Sequence, residues 1–296
     1  MITIVFMYAV LAATFTVGKI VAGLATPYFI VGFRMTVAGI FFLAYQYLRN
    51  KKQLKIKTKD LGLFFYTALF YIYLAYIPEF WALQYVSSSK EVILYSITPF
   101  IVAILAYFLA SEKITIKKII GMIIGFIGMM PMLLMQDDIR EASMELFKIS
   151  WPEVVLMIAI FSGAYGWFPV KKLMNKGYSL ASINGYTMFT GGIGAFITSF
   201  AVDGFFHKHV FDWLPFLFWI IILIITANGI FYTLYGWHLS RFSFTLLSFF
   251  GFLCPIFGSF YAWRFLGDQL TLNHLVALIL TSLGLYIFYK DELKKA

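Results

Sequence analysis

The sequence predicts an all-α membrane protein with ten transmembrane helices, arranged as two inverted five-helix repeats. Three observations support this fold class: an apolar composition, long continuous apolar runs and an internal repeat. Hydrophobic residues make up 61% of the 296-residue chain and charged residues 12%, whereas soluble domains are about one quarter charged. The apolar runs, such as GMIIGFIGMMPMLLM at 121–135, do not alternate with polar residues as the strands of a membrane barrel do.

The formal net charge of +9 arises largely from basic clusters between the apolar runs. RNKKQLKIKTK at 49–59, SEKITIKK at 111–118 and KKLMNK at 171–176 are typical of cytoplasmic loops, because Lys and Arg resist translocation. We therefore interpret the charge as a topology signal and do not expect nucleic-acid binding. The single cysteine, Cys254, excludes an intramolecular disulfide and a Cys-rich metal site.

Ten windows have the apolar length of about 20 residues that crosses a bilayer. They fall at 2–24, 27–47, 61–85, 88–110, 116–135, 152–170, 178–201, 214–237, 242–264 and 272–289. If the N-terminus lies inside, every large basic cluster faces the cytoplasm, whereas the longest outside loop, QDDIREASMELFK at 136–148, is acidic. The pattern predicts that both termini are cytoplasmic, in a bacterial inner membrane.

The sequence repeats itself at a spacing of 156 residues. Residues of the same or similar type coincide at Leu83 and Leu239, Ser87 and Ser243, Pro99 and Pro255, Glu112 and Asp268, Thr115 and Thr271, and Gly128 and Gly284. The prediction is a first five-helix repeat at 1–135, an extracytoplasmic linker at 136–151, and a second repeat with a short cytoplasmic tail at 152–296. Because five is odd, the repeats have opposite orientations, an arrangement typical of secondary transporters.

The acid and threonine of SEKIT and GDQLT suggest the start of a helix. In each motif, we expect the threonine to cap the helix that follows and the acid to lie near the positive end of that same helix. The paired prolines, Pro99 and Pro255, fall within apolar spans and are expected in mid-helix. There they would bend the fourth and ninth helices, either as parts of a gate or as static kinks that shape the cavity.

These segments resemble a known family. TPYFIVGFRMTVAGIFFL at 26–43 is similar to the second helix of EamA-type members of the drug/metabolite transporter superfamily. The blocks at 82–115 and 243–271 resemble that family's third-to-fifth-helix block in two copies, with Asp268 where glutamate is usual. The resemblance implies a ten-helix carrier with a central cavity that moves small organic solutes. It does not define the solute.

Five charges lie within or at the ends of apolar spans, and all fall in the outer half of the bilayer. They are Lys19, Arg34, Glu79, Lys90 and Glu91. A charge in mid-helix costs about 2.5–3.5 kcal/mol on insertion scales, so these groups should pair or face water. We interpret Arg34 as a tie between helices and the two glutamates as functional. Lys19 fits cavity lining and snorkelling equally well.

Polar and aromatic residues at helical spacing predict the rest of the site. The predicted substrate-binding set is Lys19, Glu79, Lys90, Glu91, Tyr95, Tyr165, Trp167, Asn184, Asn228, Phe231, Tyr232 and Tyr235. The first repeat supplies charges of both signs, whereas the second supplies aromatic faces and amides. Rings can stack on a flat group or contact a soft cation.

This asymmetric site fits a zwitterionic or cationic metabolite, with S-adenosylmethionine as the leading hypothesis. An amino-acid or drug exporter of the same superfamily, or a channel-like pore, is the alternative. The sequence contains no HExxH motif, and we expect neither enzymatic activity, nor a cofactor, nor a metal site. The expected partners are a small-molecule substrate and the lipid bilayer. Coupling, direction and oligomeric state stay open, and a monomer is compatible with the sequence.

The orientation can be tested by cysteine labelling in a background that lacks Cys254. A cysteine at position 143 should react with an impermeant reagent from outside the cell. A cysteine at position 54 should react only from inside, because its loop carries the basic cluster at 49–59. Labelling of both positions from the same side would contradict the inverted arrangement.

Overall fold

The computed structural model describes residues 1–86, 91, 94–134, 150–266 and 272–293. Within these ranges the chain is helical apart from short connections and one isolated antiparallel bridge between Ala25 and Val210. The uninterrupted helices are α1 (Ile2–Ala22), α2 (Pro27–Asn50), α4 (Thr98–Ala110), α5 (Ile116–Leu134), α6 (Trp151–Asn175), α7 (Leu180–Val202) and α10 (Leu272–Leu293).

Three further helices change their winding part of the way along. α3 runs through Leu61–Ala68, the π-helical segment Leu69–Tyr73 and Leu74–Ala82. α8 comprises Trp213–Leu223, the π-helical segment Ile224–Phe231 and Tyr232–Leu239. α9 comprises Phe244–Phe249, the 3₁₀ turn Phe250–Phe252 and Leu253–Leu266. Such π segments are rare and frequently occur at functional sites.

The chain is an integral membrane protein. Among the described residues, six helices are long and apolar enough to cross a bilayer. They are Ile2–Ala22, Pro27–Leu54, Thr58–Ala82, Trp151–Asn175, Trp213–Leu239 and Phe244–Tyr261. Two shorter apolar helices are Thr98–Ala110 and His274–Lys290. Large apolar side chains on the outside, such as Leu48 and Phe108 at 83% and 74% exposure, suit contact with lipid tails.

Helix contacts form two extensive pairs, α2 with α7 and α5 with α10. Glycines allow backbones to come close in both pairs, as small residues do in membrane proteins. A Cβ atom added at Gly39 in α2 would lie 2.5 Å from the Phe189 nitrogen in α7, and one at Gly284 in α10 would lie 2.5 Å from the Gly121 oxygen in α5. α3 packs against α6, and α1 packs against α8 and α9.

The expectation that Pro99 lies in mid-helix is wrong, whereas Pro255 lies within α9 as expected. Pro99 lies in the first turn of α4, after a turn at 96–97. Pro255 is the third residue of Leu253–Leu266, which follows the 3₁₀ turn of α9. The first four N–H groups of a helix have no intrahelical partner, so Pro99 removes no interior hydrogen bond of α4. Pro255 instead lies just after the winding of α9 changes from 3₁₀ to α-helical.

The expected cap at Thr115 is present, but the acid beside it serves a different helix. The Lys118 N–H donates to Thr115 Oγ1 at 3.3 Å, which caps α5. The Glu112 carboxylate accepts hydrogen bonds from the N–H groups of Phe244 and Thr245 at 2.7 and 3.2 Å, and from Thr245 Oγ1 at 2.6 Å. Glu112 therefore caps α9 and connects the two halves of the sequence. Asp268 lies outside the described residues.

We predict that Gly284→Ala destabilises the protein by about 1–3 kcal/mol, the usual cost of overpacking a close contact. The added methyl group meets the backbone of Gly121, which cannot rotate away. The matched control is Gly258→Ala, because no heavy atom lies within 4 Å of that added Cβ. Apparent melting temperatures in detergent should fall for the first variant alone. Equal melting temperatures would show that α5 and α10 do not approach this closely.

Candidate functional site

The structure brings together most of the charges that the sequence placed in one layer. Glu91 is 7% exposed and Arg34 is 4% exposed, whereas Glu79 is half-buried and Lys19 is exposed. The two carboxyl groups lie close enough to repel each other, while Lys19 attracts Glu91 and Arg34 attracts Glu79. Lys90 lies outside the described residues. We refer to Lys19, Arg34, Glu79 and Glu91 as the charge layer.

Tyr95 joins the charge layer to α1. Its hydroxyl group hydrogen-bonds to the Glu79 carboxyl group, and its ring contacts the edge of Phe15 at a centroid distance of 6.0 Å. The Tyr95 ring thus lies between an apolar residue of α1 and a carboxylate of α3. This placement suits a residue at the edge of a binding site, where charged groups give way to apolar ones.

Arg34 is the most extensively engaged cation of the layer. Its Nε donates to Asn228 Oδ1 at 2.8 Å, and its guanidinium carbon lies 4.7 Å from the centroid of the Tyr76 ring. The Asn228 amide nitrogen contacts the sulfur atoms of Met35 and Met188 at 3.3 and 3.7 Å. Arg34 therefore links α2 to α3 and to the π segment of α8. We expected Arg34 to be a tie between helices, outside the substrate-binding set.

Tyr76 was not in the predicted substrate-binding set either, although its spacing from Tyr232 in the internal repeat could have indicated it. Its hydroxyl group hydrogen-bonds to that of Tyr232 at 2.6 Å. The two tyrosines are 156 positions apart, which is the spacing of the repeat. The π segment of α3 falls at the same spacing from the π segment of α8. Two residues at the repeat spacing thus meet in the interior of the molecule.

Five rings beside this contact form one group, which we name the aromatic cluster: Tyr71, Trp167, Phe231, Tyr232 and Tyr235. Trp167 lies 4.2 Å from Tyr235 and 5.4 Å from Tyr232, measured between ring centroids. Tyr71 contacts Trp167 at 4.8 Å and Tyr232 at 5.1 Å, and Phe231 contacts Tyr235 at 5.5 Å. All five are at least 91% buried. The aromatic cluster therefore joins α3, α6 and α8 in the interior.

Asn184 lies next to the aromatic cluster, whereas Tyr165 does not. The Tyr71 hydroxyl group donates to Asn184 Oδ1 at 3.3 Å. The Asn184 side chain is fully buried, and its Nδ2 has no hydrogen-bond partner among the described residues. Tyr165 instead hydrogen-bonds to the Tyr66 hydroxyl at 2.7 Å, on an exposed face. It contacts Phe70 and Phe161, apart from the charge layer.

Tyr165 lines an open cavity of about 630 Å³. Glu112, Lys171 and Phe168 also line this cavity, together with Lys172 of the basic cluster at 171–176. Phe168 stacks on Phe244 at a centroid distance of 4.1 Å and an interplanar angle of 11°. Lys171 Nζ donates to the Leu239 carbonyl at 2.5 Å. None of the charge layer lines this cavity.

The geometry offers recognition groups without an evident reaction centre. Carboxylates and a guanidinium lie beside the tilted and edge-to-face rings of the aromatic cluster. This arrangement can hold a zwitterion on one side and a flat group on the other. Among the described residues, no group of three or more His, Cys, Asp or Glu side chains is placed to hold a metal ion. The arrangement is therefore suited to binding a charged, ring-containing solute.

We predict that Arg34→Lys destabilises the fold by about 1–2 kcal/mol, because one ammonium cannot both donate to Asn228 and lie flat on the Tyr76 ring. Arg241→Lys is the matched control, since that guanidinium also covers a ring, Trp237, at 3.9 Å but is exposed. Apparent melting temperatures of both variants provide the measurement. A larger fall in melting temperature for Arg241→Lys than for Arg34→Lys would contradict a central role for Arg34.

One protein family and several known transporters are similar to this chain in sequence. The model of the EamA-like transporter family matches residues 1–134 and 150–290. The S-adenosylmethionine/S-adenosylhomocysteine transporter of Chlamydia muridarum (strain MoPn / Nigg) is 29% identical over 288 residues, covering 96% of this chain and 89% of that protein. The protein of the same description from Chlamydia trachomatis serovar L2 is also 29% identical, with 96% and 87% covered.

A more distant sequence relative and a solved structure also match. The uncharacterized transporter YoaV of Bacillus subtilis (strain 168) is 21% identical over 209 residues, covering 70% of this chain and 68% of that protein. A solved structure described as "Crystal structure of protein" superposes with a TM-score of 0.76 over 99% of this chain and 96% of that chain. Its identity is 14%, so the likeness concerns the fold alone. By the match of the family model to both halves, the chain belongs to the EamA-like transporter family.

Proposed function

We propose that this protein is a secondary transporter that carries S-adenosylmethionine and S-adenosylhomocysteine across a bacterial inner membrane by alternating access. The observation that carries the proposal is the position of the charge layer directly beside the aromatic cluster, through Arg34 and Tyr76. The chlamydial relatives are described as transporters of S-adenosylmethionine and S-adenosylhomocysteine, which supports the same substrate pair.

The chemistry of the substrate matches the two parts of the site. S-adenosylmethionine has an ammonium, a carboxylate, a sulfonium and a flat adenine ring. Glu79 and Glu91 would hold the ammonium, and Arg34, Lys19 or Lys90 would hold the carboxylate. Tyr235 and Trp167 would stack on the adenine, and ring faces also attract a sulfonium, by about 1–2 kcal/mol when dry. A purely anionic solute would be repelled by the two glutamates.

Alternating access would use two five-helix repeats of opposite orientation, giving ten membrane helices with both termini in the cytoplasm. Contacts between repeat-equivalent elements support this arrangement: α2 packs on α7, α5 packs on α10, and Tyr76 bonds to Tyr232. The substrate site of such carriers lies near the midplane where the halves meet. The turn before Pro99 and the 3₁₀ turn before Pro255 interrupt equivalent helices, and we propose them as hinges.

The test is counterflow in proteoliposomes that contain the purified protein. Vesicles preloaded with unlabelled S-adenosylmethionine should accumulate the radiolabelled compound, because a carrier exchanges solute across the membrane and a channel does not. S-adenosylhomocysteine should compete, whereas free methionine should compete poorly because it lacks the adenosine that stacks. Glu79→Gln should abolish uptake while the protein still folds. Uptake of an anionic solute without uptake of S-adenosylmethionine would overturn the proposal.

The contribution of the aromatic cluster to substrate binding can be measured separately. Tyr235→Leu should weaken binding by about 1–3 kcal/mol, taking base stacking on an aromatic ring as the guide, or roughly fivefold to 150-fold in Kd. Tyr107→Leu is the matched control, because Tyr107 is 55% exposed on the outside of α4. Ligand-dependent thermal shifts report both Kd values. Equal Kd values for the two variants would exclude stacking at Tyr235.

A further inference from the structure

A second open cavity, of about 540 Å³, lies on the outside of the helix bundle. The end of α2, the start of α7 and the middle of α8 form its walls. Its rim includes Phe41 and Tyr45, which are 61% and 44% exposed, so the cavity opens sideways toward the surroundings of the bundle. In an integral membrane protein those surroundings are lipid. We refer to this cavity as the lateral groove.

The lateral groove is amphipathic along its length. Its polar end is formed where α2 ends, by Arg49, Asn50 and Gln53. Its apolar end includes Phe41 and Gly229. Arg49 is eight residues beyond Phe41 in one helix, so the two ends are about 12 Å apart at 1.5 Å per residue. This distance matches a lipid headgroup together with the upper part of an acyl chain.

The apolar end has room for an acyl chain because Gly229 contributes no side chain to its wall. A Cβ atom added at Gly229 would meet only the Ile224 carbonyl oxygen, at 3.7 Å. Thr233, one turn further along α8, also lines the groove and is exposed. A methylene chain can therefore approach the backbone of α8 here, between larger side chains of α2.

The polar end carries positive charge. Arg49 Nη1 donates to the Tyr45 hydroxyl at 2.8 Å, which leaves four N–H groups of the exposed guanidinium for another acceptor. Lys51 and Lys52 follow immediately in a short 3₁₀ turn. A guanidinium suits phosphate because it can donate two parallel hydrogen bonds. Basic pockets between membrane helices bind anionic lipid headgroups by this complementarity of charge.

We propose that the lateral groove binds one anionic phospholipid, with its phosphate at Arg49 and an acyl chain along Phe41 and Gly229. This site is distinct from the charge layer and does not depend on the identity of the transported solute. It is connected to the layer, however, because Gly229 follows Asn228, the residue that accepts the hydrogen bond from Arg34. The bound lipid would therefore contact the π segment of α8 that carries this amide.

The test measures lipid binding to the delipidated full-length protein in detergent by native mass spectrometry and thermal shift. Phosphatidylglycerol should bind and raise the melting temperature, and phosphatidylcholine should bind more weakly. Arg49→Gln should weaken phosphatidylglycerol binding at least about fivefold, as expected for one cation at a lipid headgroup. Lys52→Gln removes the same charge three residues away, outside the groove lining, and should leave binding within about twofold.

Two further measurements separate the groove from general electrostatics. Thr233→Phe should fill the apolar end and weaken phosphatidylglycerol binding without changing the protein's charge. Glycerol phosphate, which has an anionic phosphate but no acyl chain, should give no thermal shift at the same concentration. Equal losses for Arg49→Gln and Lys52→Gln, or an equal shift with glycerol phosphate, would overturn the proposal. Each variant's melting temperature without added lipid serves as the folding control.

Discussion

The interior of this protein is organised around one buried guanidinium group. A charge within a membrane helix is costly, by about 2.5–3.5 kcal/mol on insertion scales, unless it is paired. Arg34 meets this constraint with contacts to two other helices, at the amide of Asn228 and the face of Tyr76, and Glu79 attracts it electrostatically. These contacts hold α2, α3 and α8 together and bring the charge layer against the aromatic cluster.

The same region is where the two halves of the sequence meet. Tyr76 and Tyr232 are 156 positions apart and hydrogen-bond to each other. Changes of winding occur at about the same spacing nearby, as π segments in α3 and α8. A π turn changes the direction of the side chains that follow it, which suits a site where several helices direct polar groups to one place. Glu112 adds a second connection between the halves at the other end of the bundle.

The parts of the site that could be predicted from the sequence have a strong local signal. A carboxylate such as Glu79 inside an apolar run is conspicuous, and the spacing of Asn228, Phe231, Tyr232 and Tyr235 indicates one helix face. The structure brings Glu79, Glu91 and Lys19 together and packs Trp167 against the rings of α8. Tyr165 has the same local signal but points to a different surface. The helical period assigns residues to a face and does not say what that face contacts.

The sequence by itself determined that the chain is helical and crosses a membrane, and which of its residues carry charge into the apolar spans. These properties depend on composition and on spacing along one helix. Tertiary structure alone decided that Arg34 pairs with Asn228, 194 positions away, and that Glu112 caps α9 rather than α5. It also decided that Pro99 lies in the first turn of a helix rather than in mid-helix. The physical reason is that a buried polar group takes its partner from whichever helix lies beside it, and helix neighbours are set by packing across the whole chain.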